Sequence, residues 1–315
     1  MTVINTNIKS LVSQTALNAN SKSVAAAMEQ LSTGKRINSA ADDAAGLAIS
    51  SRMTAQVKGL DQAVRNANDG ISLLQTAEGA LIEVTNMLQR MRELAVQAGN
   101  DTYTSSDRTS LNLEYSQLMQ EINRISQNAQ WNGMTILNNT TTGTAAIGTG
   151  GTVAAPATAG SELRNVKFQV GANSSQTISA QFKDFSIPMT AAGVADTAAA
   201  DVSTKVFSGD AKLHDTSITS AANASTAIAR IDVAMNRIND ERATFGAVIN
   251  RLNYAGDNLT NVSLNTTESR SRILDADYAQ ASSELAKTQI IQQAATAVLA
   301  QANMDQQSVL KLLQG

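Results

Sequence analysis

The 315-residue chain contains no cysteine and a single histidine, His214. That count excludes disulfides, thiol chemistry and any metal cage built from cysteines or several histidines. The lack of cysteine does not assign a compartment, because a secreted protein dispenses with disulfides when assembly supplies its stability. Aromatic residues make up only 3% of the chain, and its two prolines, Pro156 and Pro188, both lie mid-chain. So few large side chains cannot fill a thick layered core, whereas an apolar content of 43%, much of it alanine, suits close-packed helices.

A net charge of −3 gives no general pull toward nucleic acid. No run of 18 apolar residues occurs, and the opening MTVINTNIKSLVSQTALNAN has no basic stretch followed by an apolar one. Neither a membrane span nor a cleaved signal peptide is expected. If the protein leaves the cell, another route carries it.

What the chain does have is heptad periodicity. Ile71, Leu74, Ala77, Leu81, Val84, Leu88, Met91 and Ala95 draw one helical stripe. After the break at Gly99-Asn100-Asp101, a second stripe runs Leu111, Tyr115, Leu118, Ile122, Ile125. A third, far along the chain, runs Ile228, Ile231, Met235, Ile238, skips Arg242, and resumes with Phe245, Ile249, Leu252 and Leu259. Three such stripes bury one another as a bundle, so the two halves of the chain meet in space.

Residues 1–33 and 273–315 form a weaker pair. Ile4, Ile8 and Leu11 begin one stripe, continued with a phase shift to Leu31. Ile291 and Val298 mark the other, and Leu310 and Leu313 lie near its end. The intervening Ser, Asn, Gln and Thr leave each helix marginal alone. These ends need each other, or neighbouring subunits, to order.

Between the first pair of helices lies LSTGKRINSAADDAAGLAISSR, residues 31–52. Gly34 suits a helix stop, and Ser39 with Asp42 three residues on approximates a capping box for a helix starting at Asp42. Asp42 and Asp43 also place negative charge at that helix's positive end. A plain linker and a hinge both fit.

The middle is different in kind: residues 138–222 are rich in Thr, Ala, Gly, Ser and Asn, without a sustained helical period. One β-hairpin is expected inside it, Val166, Phe168 and Val170 alternating before a turn and Ile178, Ala180 and Phe182 after it. Trp131-Asn132-Gly133 is a turn with Trp131 as a packing anchor. His214, isolated within AKLHDTS, has no evident partner for nucleophilic or metal chemistry, and no H-E-x-x-H motif occurs. Asn-x-Ser/Thr triplets at several positions are expected by chance in so Asn- and Thr-rich a chain.

LSTGKRINSAADDAAGLAISSR, GLDQAVRNANDGISLLQTAEGAL (59–81) and LQRMRELAVQ (88–97) resemble the N-terminal region of bacterial flagellins, and SRILDADYAQASSELAKTQIIQQAATAVLAQAN (271–303) with VLKLL (309–313) resembles their C-terminal region. The resemblance implies a mainly α protein, long antiparallel helices forming coiled-coil and bundle layers, with a small β-hairpin insertion. It implies an inner coiled-coil segment with a spoke at 1–44 and a bundle domain from 45–140 and 223–272. A variable surface region would occupy 141–222, with the hairpin at about 166–182, and a second inner segment 273–315. With so short a middle, the surface should be thin, with a flexible Ala/Thr loop around 186–222.

The function so implied is a non-enzymatic filament subunit, without cofactor or metal, serving swimming motility. It would be exported unfolded, without a cleaved signal peptide, and assembled through Ile4, Ile8, Leu11, Leu31, Ile291, Val298, Leu310 and Leu313. Gly34, Arg36, Asp42 and Asp43 would form the spoke. Implied partners are other copies in a homopolymer, the flagellar cap and hook–filament junction proteins, an export chaperone and the type III export apparatus, but no nucleic acid and no membrane. A host Toll-like receptor would contact Gln89, Arg90, Leu94 and Glu114. A hook–filament junction protein is the alternative from the same frame, and a secreted enzyme built on it would have to use His214.

Overall fold

The structure, a computed structural model, describes residues 7–138, 164–187, 206–207, 212–213 and 216–314, with side chains described up to residue 304. Among them are five helices and four short strands: α1 (Ile8–Thr33), α2 (Ala44–Ala98), α3 (Ser105–Asn128), β1 (Gln130–Trp131), β2 (Met134–Thr135), β3 (Arg164–Gln169), β4 (Thr177–Phe182), α4 (Ala221–Leu274) and α5 (Tyr278–Gln314). The chain divides into two compact units, residues 1–58 with 261–315 and residues 59–260, so α2 and α4 contribute to both. The fold is mainly α with a small antiparallel hairpin, as the sequence implies.

In the 59–260 unit the heptads become a seam. Every third or fourth residue of α2 from Leu60 to Ala98 is buried, a 3.5-residue period that keeps one face toward its neighbours. On α4 the same spacing runs through Ala224, Ala227, Ile231, Ala234, Ile238, Glu241, Phe245, Val248 and Leu252. This seam is one residue earlier than the sequence stripe at three places: Ile228, Met235 and Ile249 pack on the margin of the core. Ala227 and Ala234 are fully buried, and their bulkier neighbours Ile228 and Met235 flank them. On α3 the deepest residues are Tyr115, Met119, Ile122 and Ser126, with Leu111, Leu118 and Ile125 alongside. Tyr115 is fully buried; burial pushes its phenol above the ordinary value, and its hydroxyl is 2.7 Å from Thr216 Oγ1.

α3 starts at a capping box. Thr104 Oγ1 accepts from Asp107 N at 3.3 Å and Asp107 Oδ2 accepts from Thr104 N at 3.0 Å, satisfying two donors that a helix start leaves open. The Thr104 hydroxyl, then its amide, holds the Asp107 carboxyl below the usual aspartate range. A depressed folded value contributes stability above the unfolded value of about 4, and that contribution is lost as pH falls through the folded value. Amide exchange at Thr104 and Asp107, the two amides the box satisfies, is therefore expected to accelerate below about pH 4 in the parent chain and to lose that acid step in Asp107→Asn. An unchanged acid step in the variant would show that Asp107 is not its origin.

β1 and β2 form a two-residue hairpin about Asn132 and Gly133, with φ of 48° and 78°. Two positive φ values are what a type I′ turn needs, and Asn-Gly meets them. Trp131 packs half-buried on the core.

The larger hairpin pairs Val166 with Ala180 and Phe168 with Ile178. Its inner face lies against two helices, and a glycine makes room for it: a Cβ on Gly70 would stand 2.9 Å from the Phe168 ring. Asn66 Nδ2 donates to Gln169 O at 3.1 Å beside it, and Phe182 meets Phe245 of α4 with centroids 5.0 Å apart. The stretch that follows departs from expectation. Phe185, Ile187, Val206 and Phe207, within or beside the loop expected to form a flexible surface, are buried, with Phe185 edge-on to Phe207. Few as they are, these apolar residues complete the core, while the polar Ala/Thr runs around them set the average that the eye reads from sequence. Pro156, Pro188 and His214 lie outside the described residues.

Candidate assembly surface

The unit of residues 1–58 and 261–315 holds α1 and α5 as an antiparallel pair. Asn7 Nδ2 donates to Ala302 O at 3.1 Å and Asn20 Nδ2 to Thr288 O at 2.8 Å. Beyond the helix ends, Lys35 bridges Asp275. At these three points one chain number rises nearly as fast as the other falls, as two α-helices of equal rise require. The asparagines that weaken each helix in isolation are the residues that fix this register.

The pair buries few side chains fully, and Leu17, Val24, Leu31, Leu285 and Leu299 are half-buried. Ala27, Ala281, Thr288 and Ala302 are buried. Ile8, Leu11, Val12, Ile290 and Val298 are each more than half exposed, from 57% to 66%, and Ile291 is 43% exposed. A groove of about 470 Å³ runs along Ile8, Val12, Ser13, Val298 and Ala302, with apolar walls. Of the expected assembly residues, Ile8, Leu11, Ile291 and Val298 thus share one exposed apolar surface type on one helix pair. Ile4 and the side chains of Leu310 and Leu313 lie outside the described residues.

The spoke segment is stitched to the end of α4. Gly34 closes α1 in the left-handed region, φ 69°, its N–H donating to Gln30 O. Arg36 N donates to Leu274 O at 2.7 Å, its guanidinium to Ile273 O at 2.8 Å, and Ala276 N to Gly34 O at 3.0 Å. Arg36 therefore satisfies two terminal carbonyls of α4 and places positive charge at that helix's negative end. The two aspartates divide a task the sequence assigns jointly. Asp42 Oδ2 accepts from the amides of Ser39 and Asn38 and from the Ser39 hydroxyl, tying the turn and holding its carboxyl below the usual range. Asp43 accepts from Gly46 N at 2.8 Å and is the cap, so α2 begins at Ala44, not at Asp42.

Gly34→Ala places a Cβ at a positive φ with open space around it, so strain alone decides the cost, about 1 kcal/mol. Faster amide exchange at Arg36 and Ala276, with residues 59–260 unchanged, is the expected readout. Uniform acceleration would refute a local role.

In the 59–260 unit, Arg90 Nε donates to Glu114 Oε1 at 2.9 Å and its guanidinium to Glu93 Oε2 at 3.0 Å, and these partners raise the Arg90 pKa. Gln89, Arg90 and Glu114 are exposed. Leu94 is not brought to that surface: at 1% exposure it belongs to the core beside Ala95. Arg92 Nε meets Asp232 Oδ1 of α4 at 2.7 Å.

Sequence reasoning missed Glu241. It is 2% exposed on the α4 seam, its Oε1 accepting from Lys183 N at 3.3 Å and its Oε2 lying 3.2 Å from Lys183 Nζ. The available signal was the seam itself, which, counted from Ala224 in threes and fours, lands on a glutamate.

A heptad-built helical core together with a terminal pair of long helices, and no side-chain constellation for catalysis among the described residues, is the architecture of a helical structural protein. Residues 4–142 match the bacterial flagellin N-terminal helical region and residues 228–313 the bacterial flagellin C-terminal helical region. The flagellin of Halalkalibacterium halodurans is 41% identical over 313 residues, covering 99% of each chain. That of Bacillus subtilis is also 41% identical over 313 residues, covering 98% of this chain and 99% of its own. The crystal structure of Bacillus cereus flagellin is 31% identical and covers 62% of this chain and 88% of that one, with a TM-score of 0.44. The chain belongs to the bacterial flagellin family, structural proteins and not enzymes, and is a subunit of the self-polymerising flagellar filament.

Proposed function

We propose that the chain is exported unfolded by the flagellar type III apparatus, with an export chaperone, and polymerises at the growing tip of the extracellular filament through α1 and α5. The flagellar cap and hook–filament junction proteins are its neighbours at the filament's two ends. The observation that carries this reading is the shallow burial of the terminal pair: only Ala27, Ala281, Thr288 and Ala302 of its described residues are buried, while Ile8, Leu11, Val12, Ile290 and Val298 are exposed. A pair that buries so little gains little from folding alone, and burial of its exposed apolar residues against other copies supplies the rest. Open, head-to-tail addition of identical subunits gives a helical filament.

The test compares the full chain with a chain of residues 45–272 by sedimentation and far-UV circular dichroism, before and after seeding with sheared filaments. Only the full chain is expected to pellet and gain helix. Equal growth of the shorter chain would overturn the reading.

A second reading rests on Gln89, Arg90 and Glu114, all exposed and the last two ion-paired, which suit contact with a host Toll-like receptor. Arg90→Ala is the direct probe, by receptor binding of the monomer.

A further inference from the structure

The chain leaves and re-enters the terminal helix pair by two links, and the structure ties them to each other. Only Asp275, Ala276 and Asp277 separate α4 from α5. Lys35 bridges Asp275, flanked on one side by Ala276 N donating to Gly34 O and on the other by Arg36 N donating to Leu274 O. This short ladder continues the register of the helix pair, in which Asn7 meets Ala302 and Asn20 meets Thr288. The pairing of α1 with α5 therefore decides where Arg36 lies. A slip of one helical turn, about 5.4 Å, would carry it out of reach of α4.

At that place Arg36 answers a need that α4 cannot meet from within. The last four carbonyls of an α-helix have no partner inside it. Ser271 O accepts from Asp275 N at 2.9 Å, and Leu274 O from the Arg36 amide. Ile273 O accepts from the Arg36 guanidinium, which belongs to a residue 237 positions away in the chain. The next residue, Ile37, is 3% exposed and lies against the first turn of α2, where a Cβ on Gly46 would stand 2.6 Å from Ile37 Cδ1. Arg36 and Ile37 thus meet the end of one long helix and the start of another. Those are the parts of α2 and α4, up to Lys58 and from Asn261, that group with the terminal pair and not with the 59–260 unit.

We propose that Arg36 is a positioning residue through which ordering of the terminal pair completes α4: a latch that is open in the unassembled chain and closes when a subunit is added. The inference rests on the proposal that α1 and α5 order on polymerisation. While they are unpaired, nothing fixes Gly34 and Lys35 beside Asp275, and holding Arg36 on two carbonyls costs chain freedom that no other contact offsets. The last turn of α4 is then without its caps and frays. Pairing of α1 with α5 against other copies supplies the missing order, and Arg36 arrives in register with its positive charge at the negative end of α4. Subunit addition and completion of α4 are one event. A subunit paired out of register leaves the latch open and is held less tightly.

Hydrogen exchange read by mass compares residues 270–276 in full-length monomer and in filaments grown from seeds, for the parent chain, Arg36→Ala and Arg36→Lys. The parent monomer is expected to exchange these amides freely, and the parent filament to slow them at least about tenfold, the effect of one charge-assisted hydrogen bond. Arg36→Ala is expected to leave the monomer unchanged and to erase most of that slowing in the filament. Arg36→Lys returns the charge and a donor without the guanidinium fork, so its filaments should fall between the two. Equal slowing in parent and Arg36→Ala filaments would overturn the proposal. So would slow exchange in the parent monomer, or an equal loss in variant monomer and filament, since either would mean a cap that exists before assembly. Where Arg36→Ala forms no filament, the comparison runs between parent and Arg36→Lys filaments, and equal slowing in those overturns the proposal. Seeded growth keeps the two readings apart: extension by a chain of residues 45–272 refutes assembly through α1 and α5, whereas growth that needs the terminal helices but leaves the end of α4 unaltered refutes the latch alone.

Discussion

A Leu11→Asp/Val298→Asp chain is expected not to extend filament seeds at concentrations where the parent chain grows freely, while its monomer keeps the parent's circular dichroism and melting behaviour. Leu11 and Val298 are 57% and 58% exposed, so a carboxylate at either position remains hydrated in the single chain. Substitutions at such sites change monomer stability by no more than about 0.5 kcal/mol. In an apolar contact with a second copy, the same carboxylates lose their water. The penalty is several kcal/mol for each ion, enough to raise the concentration needed for growth by several orders of magnitude. Sedimentation after seeding measures it. Growth at the parent's rate would mean that this face is not buried by polymerisation. A melted monomer would mean that Leu11 or Val298 stabilises the isolated pair, contrary to its exposure.

The second large effect concerns Lys183 and Glu241, and its direction depends on which partner is removed. The Glu241 carboxylate is 3% exposed but the Lys183 side chain is 37% exposed. Lys183→Met leaves a charge inside the α4 seam with only one backbone amide to answer it, and is expected to cost about 3 kcal/mol. Glu241→Leu leaves Lys183 free to turn into water and gives the seam the residue type its spacing calls for, so it is expected to be close to neutral or stabilising. Urea unfolding followed by the fluorescence of Trp131, the chain's single tryptophan, reads the 59–260 unit directly. Equal losses in the two variants would show that the pair stabilises by mutual attraction, not by the cost of leaving Glu241 alone.

The positions of the long helices were legible because heptad spacing is a local property: Leu74, Ala77, Leu81 and Val84 lie on one face of any α-helix, whatever it packs against. The larger hairpin was legible for the same reason, since alternation in Val166, Phe168 and Ile178, Ala180 selects one face of any strand. The exact seam was not legible. Ile228 and Met235 look like core residues by size, yet Ala227 and Ala234 occupy it, because the choice depends on how closely another helix approaches. Nor was the burial of Val206 and Phe207, which sit in a polar stretch and reach the core beside Phe185, held by Val206 N donating to Asp184 O and by Arg237 of α4 donating to Val206 O.

The candidate site divides in the same way. Gly34 as a helix stop could be read directly, since few other residues adopt φ 69° without strain. That Asp43 and not Asp42 caps α2 could not, because two adjacent carboxylates have equal claims until the turn through Asn38 and Ser39 takes one of them. The four receptor-contact positions were placed together by resemblance, and three-dimensional packing removed Leu94 from their surface, since the heptad period carries it inward beside Ala95.

The sequence by itself determined the helices, their stops, the alternating hairpin and the exclusion of thiol and multi-histidine chemistry, all of which follow from spacing, conformational preference or simple count. Only the tertiary structure decided which of two neighbouring residues enters a seam, that a glutamate lies in it, that Gly70 yields its space to Phe168, and that Ile8, Leu11, Val12, Ile290 and Val298 of the terminal pair stay exposed. Those outcomes depend on what stands opposite each side chain, and a linear sequence does not contain that distance.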